Sequence, residues 1–391
     1  MRYRTNQGER ISEIGIGGYA LSGVYGKKDP EQFPILARRA FDLGVTFFDV
    51  ADVYGPAEEI LGRAVASFRK QVWLATKVGW GAQGKPDCSA EHVLASCEQS
   101  LRRLQTDWID LYQIHFDDPD TPAEETVGAL EQLKTTGKIR YFGVGHLPPA
   151  RMQAYIASDK VFSALVELSP VARRALDSTM PLCRAYDVGI LAFSPTGRGL
   201  LTGSITPGHV FEEGDIRQMD PLFQRERFTS GLRILDKFKM LGAKYGKSPA
   251  QVAIAWVLAQ PGVVCTLAGP STIPHLEENL GGSGWNIACG DLADLEIFFK
   301  AQDAQLKREQ LQSVRAILSR ELTPASAFTD LVYVLETAVE TGLVAEEQVL
   351  PHFVTLWAWR KQQDDATALE QMRAIQTELC GKLMADRQNV P

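Results

Sequence analysis

TFFDVADVYG, residues 46–55, opens with an apolar run and then breaks it with Asp49. A run that is apolar on consecutive positions is the pattern of a parallel strand buried on both faces. An aspartate at the end of such a run is costly to bury unless a partner meets it. The same shape recurs nearby. QVWLATKVGW, residues 71–80, carries Lys77, and WIDLYQIHF, residues 108–116, carries His115 at the end of its run. Working outward in both directions gives eight such runs, at 14–19, 46–51, 72–78, 109–115, 141–144, 164–168, 189–194 and 264–268.

Amphipathic stretches alternate with these runs. PEQFPILARRAFDLG ends on Gly44, a helix stop, and SAEHVLASCEQSLRRLQ opens on Ser89, an N-cap, with Glu91 suited to the helix dipole. PAEETVGALEQLKTTG ends on Gly137, and SPAQVAIAWVLAQPG has a proline near each end. Strict alternation of eight strands with helices predicts a (β/α)8 TIM barrel. The competing open doubly wound sheet lacks its Gly-rich fingerprint, because no GxGxxG follows the first strand. RYRT and ERISE, flanking Asn6-Gln7-Gly8, read as a hairpin able to plug the bottom of the barrel. Residues 199–227, rich in Gly, Thr, Pro and charge, are too long for an ordinary connection and read as a functional loop or lid.

In this architecture the C-terminal strand ends build the active site, so polar residues that break apolar runs there are candidates for chemistry. They are Asp49, Lys77 and His115, with Tyr54 in the loop after the second run. A tyrosine hydroxyl alone is too weak an acid for proton transfer near neutral pH. A neighbouring Lys77 ammonium favours the phenolate, and Asp49 keeps the ammonium charged and in place. His115 is suited to donate to a substrate oxygen or shuttle its proton. The set suits carbonyl reduction or alcohol oxidation with the hydride supplied by a cofactor.

The chain from about residue 8 to 283 resembles the aldo-keto reductase family. The resemblance is carried by FFDVADVYG with EEILGRA, WLATKVG, SLRRLQTDWIDLYQIH, LEQLKTTGKIRYFGVG, ILAFSPTGRGLLTG and HLEENL, in that order. It implies a TIM barrel, an NAD(P)H cofactor at the C-terminal face, and a catalytic tetrad falling on Tyr54, Lys77, Asp49 and His115. For the cofactor it implies contacts at Gly18 and Tyr19 and a nicotinamide stacked on Phe193. It further implies a pyrophosphate wrapped by Ser194, Pro195, Thr196, Gly197 and Leu200, and adenosine contacts at Ser271, Glu278 and Asn279. The departures are specific. Gly145-His146 stands in place of a Ser-Asn pair, and Leu165 in place of a glutamine, both of which hold the carboxamide elsewhere in the family. The segment 269–272, GPST, offers no cation for a 2′-phosphate, which favours NAD(H) over NADP(H). Loss of the Ser-Asn pair and the last-strand segment are similar to plant L-galactose dehydrogenases, which implies oxidation of a sugar or polyol. Trp80 and Phe116 either line the substrate pocket or pack under loops. His146 either touches carboxamide or substrate, or caps the next helix.

Net charge is −7, with 41 Lys+Arg against 48 Asp+Glu, which argues against nucleic acid or an anionic membrane as partner. The six cysteines form no CxxC pair and read as reduced cytosolic thiols, not disulfides or metal ligands. MRYRTNQGER does not resemble a signal peptide and no apolar run reaches 18 residues, so a cytoplasmic location without a membrane span is expected. Past residue 300 the pattern is helical only, which predicts a barrel over 1–300 and an all-helical extension over 301–391. The extension carries Phe353, Trp357 and Trp359 and reads as a bundle on the barrel, or as a surface for a homo-oligomer or protein partner. Three functions are compatible with this reading. One is an oxidoreductase acting on a small carbonyl or sugar. The others are a cofactor-sensing regulatory or scaffold subunit, and a redox-neutral isomerase or lyase that retains its cofactor.

Overall fold

The computed structural model describes residues 1–26, 29, 31–81, 84–145, 147–158, 161–320, 324–342, 344, 373–374 and 376–377. The chain divides into two units, Met1–Leu292 and Ala293–Pro391. The boundary expected at 300 falls inside one continuous helix, α10 (Cys289–Leu318).

The first unit begins with an antiparallel hairpin of β1 (Tyr3–Asn6) and β2 (Glu9–Ser12). Its turn places Gln7 at φ 45° and Gly8 at φ 85°. Two consecutive positive φ values are what a tight two-residue hairpin requires. Asn6 Nδ2 donates to Phe162 O at 2.9 Å and Arg4 to Val263 O at 2.7 Å, which fixes the hairpin against the N-terminal ends of two barrel strands. The barrel floor is therefore plugged as the sequence predicts.

Eight parallel strands follow: β3 (Ile14–Gly17), β4 (Phe47–Asp49), β5 (Trp73–Val78), β6 (Ile109–Ile114), β7 (Ile139–Gly145), β8 (Ser163–Glu167), β9 (Gly189–Phe193) and β10 (Val263–Ala268). They close into a barrel with β10 paired to β3. The helices between them are α1 (Gln32–Asp42), α2 (Ala57–Val65), α3 (Ala90–Leu104), α4 (Ala123–Thr135), α5 (Pro149–Ile156), α6 (Thr179–Ala185), α7 (Arg225–Tyr245), α8 (Pro249–Leu258) and α9 (Ile273–Leu280). Ser89 caps α3 by accepting from His92 N, and Ser248 with Gln251 forms a reciprocal capping box on α8.

Inside the barrel, alternate strand residues make the core. Phe47, Trp73, Ala75, Leu111, Leu165, Leu191 and Cys265 form one buried cluster, with Ile11 from the hairpin. Above this apolar layer the inward positions turn polar at Asp49, Lys77 and Gln113, all buried. Register aligns Lys77 with Gln113, Gln113 with Gly143, and Gly143 with Ser163 across β5 to β8. The second unit contains the rest of α10 and α11 (Pro324–Glu340), joined by an Arg320–Asp330 ion pair and a Gln310–Glu340 hydrogen bond. Phe353, Trp357 and Trp359 lie outside the described residues. Among the described residues no helix is long and apolar enough to cross a membrane.

Candidate active site

Lys77 sits at the end of β5 with almost no exposure, 1%. Burying an ammonium there demands partners, and it has three. Its Nζ donates to Asp49 Oδ1 at 2.5 Å and to Val50 O at 2.6 Å, and it hydrogen-bonds the Tyr54 hydroxyl. The same Nζ lies 5.0 Å from the centroid of the Tyr54 ring. Asp49 is held from its other oxygen by Gln113 Nε2 at 3.0 Å. His115 is buried at the end of β6, its ring edge-on to Tyr54 with centroids 5.8 Å apart. The three side chains that interrupt the apolar runs, Asp49, Lys77 and His115, are brought together with Tyr54 at one end of the barrel.

The electrostatics follow from burial against pairing. Burial raises the Asp49 carboxyl above its ordinary value, against the pull of Lys77 and Gln113. For Lys77 burial works against the charge, but Asp49 and Tyr54 outweigh it, and the ammonium is held more firmly than usual. Tyr54 differs from the expectation. Burial pushes its pKa up by more than Lys77 pulls it down, so the hydroxyl keeps its proton above the ordinary tyrosine range.

These groups line one end of a cavity of about 950 Å³ at the C-terminal face. Tyr19, Phe116, Phe193, Ser194, Pro195 and Thr196 border it, and its far end is bordered by Ser271, Glu278 and Asn279. Phe193 is half-buried, with part of its surface exposed. Leu165 also borders the cavity, at the position where the resemblance led to a glutamine. Other expected contacts lie elsewhere. Gly18 is buried behind the wall, where its N–H donates to Asp49 O at 2.7 Å and a Cβ would stand 2.7 Å from Val50 Cγ1. Leu200 is fully buried in a separate cluster with Ile205 and Phe223, so its side chain packs the loop core instead of wrapping a ligand. Gly197, at φ 59°, turns the chain between Thr196 and Arg198 and does not border the cavity. Trp80 is 39% exposed and does not border the cavity; its ring packs on Phe116, which does, with centroids 5.0 Å apart. His146 lies outside the described residues.

The long segment after β9 is better defined than its composition suggests. Arg198 pairs with Glu167 at 2.8 Å and Asp220 at 3.0 Å, tying the segment to β8. Ile216 N donates to Val24 O at 2.8 Å, and the Arg217 guanidinium lies 5.1 Å over the Tyr25 ring. The segment thus crosses to the loop after β3, and Arg217 and Met219 border the cavity with Tyr25. Sequence reading missed these residues and Gln113. Only the polar position inside the run IDLYQI signalled Gln113.

Residues 13–287 match the model of the aldo/keto reductase family. The chain belongs to that family. It is 35% identical over 297 residues to "Probable aldo-keto reductase 1" of Glycine max, a match covering 74% of this chain and 86% of the relative. It is 34% identical to "Aldo-keto reductase YhdN" of Bacillus subtilis, covering 74% and 90%. Among solved structures, the glycerol dehydrogenase AKR11B4 of Gluconobacter oxydans superposes with a TM-score of 0.69 at 30% identity, covering 78% of this chain and 95% of that one. The aldo-keto reductase AKR11C1 of Bacillus halodurans, in its holo form, gives 0.65 at 26%, covering 76% and 95%. This aldo-keto reductase is accordingly an NAD(P)-dependent oxidoreductase with a closed (β/α)8 barrel.

Proposed function

We propose that this chain interconverts a carbonyl and an alcohol, on an aldehyde, ketone or sugar, with Tyr54 as the general acid and base. The observation that carries the reading is the buried chain of contacts Asp49–Lys77–Tyr54 opening on the cavity. The residues present fit a dinucleotide. A half-exposed aromatic face at Phe193 suits a nicotinamide, the Ser194–Thr196 backbone suits a pyrophosphate, and Ser271, Glu278 and Asn279 suit an adenosine. A bound nicotinamide supplies or accepts the hydride. The protein's own part is the proton. Tyr54, which holds its proton firmly, gives it to the substrate oxygen in reduction and takes it back in oxidation. Lys77 stabilises the phenolate left behind, Asp49 neutralises Lys77, and His115 donates toward the same oxygen.

The far end of the cavity bears on cofactor choice. Gly269, Pro270, Ser271, His275, Glu278 and Asn279 border it and include no lysine or arginine. Arg39, on α1, is paired with Glu277 at 2.6 Å. Among the described residues a 2′-phosphate at this end would lack a fixed cationic partner, which supports NAD(H) over NADP(H). Fluorescence titration with NADH and NADPH tests this directly. NADH is expected to bind more tightly to the parent, and Ser271→Arg to raise NADPH affinity about tenfold. Failure of both nucleotides to bind would overturn the reading, and an NADPH preference in the parent would overturn the cofactor choice.

A further inference from the structure

We infer that Gln113 is a positioning residue for the reaction: its amide donates to Asp49 Oδ2, holds that carboxylate ionised and aimed at Lys77, and so keeps the ammonium at Tyr54. The inference rests on the roles proposed above for Tyr54, Lys77 and Asp49.

The case begins with cost. Gln113 has 0% exposure in the middle of a barrel strand, where an amide is expensive and an aliphatic side chain of the same size is not. Two residues earlier on the same strand, the inward position is Leu111, packed with Leu165 and Leu191. On the neighbouring strand the aligned residue is Gly143, where a Cβ would stand 2.8 Å from both the carbonyl oxygen and Oγ of Ser163 and 3.4 Å from Gln113 Cγ. The glycine is required by Ser163 on the next strand, and Gln113 packs against it at ordinary contact distance. A carboxylate paired to an ammonium only accepts, so the amide must turn its nitrogen to Asp49. Its oxygen, Oε1, has no hydrogen-bond partner among the described residues, and neither has Ser163 Oγ. The buried amide is therefore compensated at one place, the 3.0 Å bond to Asp49.

Asp49 has few other supports. Lys77 reaches it from β5, and Tyr54 lies in the loop that follows it. His115 on β6 borders the same end of the cavity. On β10, burial keeps the Cys265 thiol protonated, and the adjoining end of β3 contributes only the glycines Gly17 and Gly18. Of Asp49's two side-chain donors, Gln113 is the one that cannot change charge. Without it, burial wins further ground, Asp49 takes up a proton at higher pH, and Lys77 loses its counter-charge.

The test is the pH profile of turnover for the parent, Gln113→Met and Gln113→Glu. Methionine keeps the bulk and removes the donor. It is expected to move the acidic limb upward by about one pH unit, the cost of one hydrogen bond to a charged group, with cofactor affinity unchanged. Glutamate donates as glutamine does only while protonated, so that variant should work in acid and lose activity as pH rises. A purely structural role would give neither pattern. Should the methionine variant not fold, the glutamate profile still decides, and a flat one would overturn the inference. A readout that needs no turnover is 13C NMR of labelled aspartates, with Asp49 assigned by its loss in Asp49→Asn. Unchanged Asp49 titration in Gln113→Met would overturn the inference whatever the enzyme's activity. A shifted titration in a protein whose Tyr54→Phe variant stays fully active would uphold the positioning and refute the role given to Tyr54.

Discussion

Asp49 and Asp110 stand at opposite ends of the same barrel, and both are almost fully buried, at 4% and 2% exposure. Asp110, at the start of β6, is pinned by four donors. Leu74 N bonds it at 3.0 Å, Trp108 Nε1 at 3.2 Å, Arg69 at 2.8 Å and Arg140 at 3.0 Å. The guanidiniums are themselves stacked, Arg69 over Trp108 at 4.2 Å and Arg140 over Trp73 at 5.0 Å. Asp49 has one ammonium and one amide, and its proton affinity is raised by burial. A carboxylate with every lone pair engaged staples strands together. A carboxylate left short of donors beside a cavity keeps a neighbouring charge poised. The difference separates a stability site from a chemical one without reference to which end of the barrel each occupies.

That separation can be broken by two substitutions that should have opposite signatures. Tyr54→Phe removes the proton that the Asp49–Lys77 pair serves and nothing that packs. It is expected to lower turnover about 10²–10⁴-fold, with the melting temperature and cofactor affinity unchanged. Retained turnover would show that another group supplies the proton. Asp110→Ala leaves two arginines facing a lost partner at the barrel floor. It is expected to cost about 3–5 kcal/mol of unfolding free energy, read by denaturant titration, while the surviving folded fraction binds cofactor as before. A variant of Asp110 that lost turnover while keeping its stability would erase the distinction between the two ends.

The two ends were not equally legible in the sequence. The chemical end was readable because a polar residue at the close of an apolar run is conspicuous, as Asp49, Lys77 and His115 each are. The positive-φ hairpin at Gln7 and Gly8 and the eight strands were readable for the same local reason. The staple at Asp110 was not, since its arginines come from residues 69 and 140, and no periodicity links those positions. Gln113 looked like one polar residue in a strand until register placed it beside Lys77 and Gly143. Leu200 shows a packing role that its motif did not signal. Its motif pointed to the segment around a pyrophosphate, and its apolar side chain packs that segment against Ile205 and Phe223.

A third carboxylate, Asp52, falls between the two and sharpens the rule. It lies in the loop from β4 that carries Tyr54, and among the described residues its Oδ1 accepts only from Val53 N, at 2.9 Å. Glu58 stands nearby, itself fully buried and engaged by Thr76 at 2.6 Å and Arg103 at 2.5 Å. Burial first, and the Glu58 charge second, push the Asp52 carboxyl up to about 7 from an ordinary 3.8. The sign of the consequence is fixed. The folded protein keeps a proton that the unfolded chain gives up, so Asp52's contribution to stability is complete below about pH 4 and is lost as pH rises through 7. Asp52→Asn removes that loss. It is expected to stabilise the fold by about 1–2 kcal/mol at about pH 8 and by nothing near pH 4, measured by urea unfolding at both. An equal gain at the two pH values would mean that Asp52 ionises normally. A gain confined to high pH would mean that a half-buried carboxylate with one backbone donor is a net cost, tolerated here because its loop carries the tyrosine.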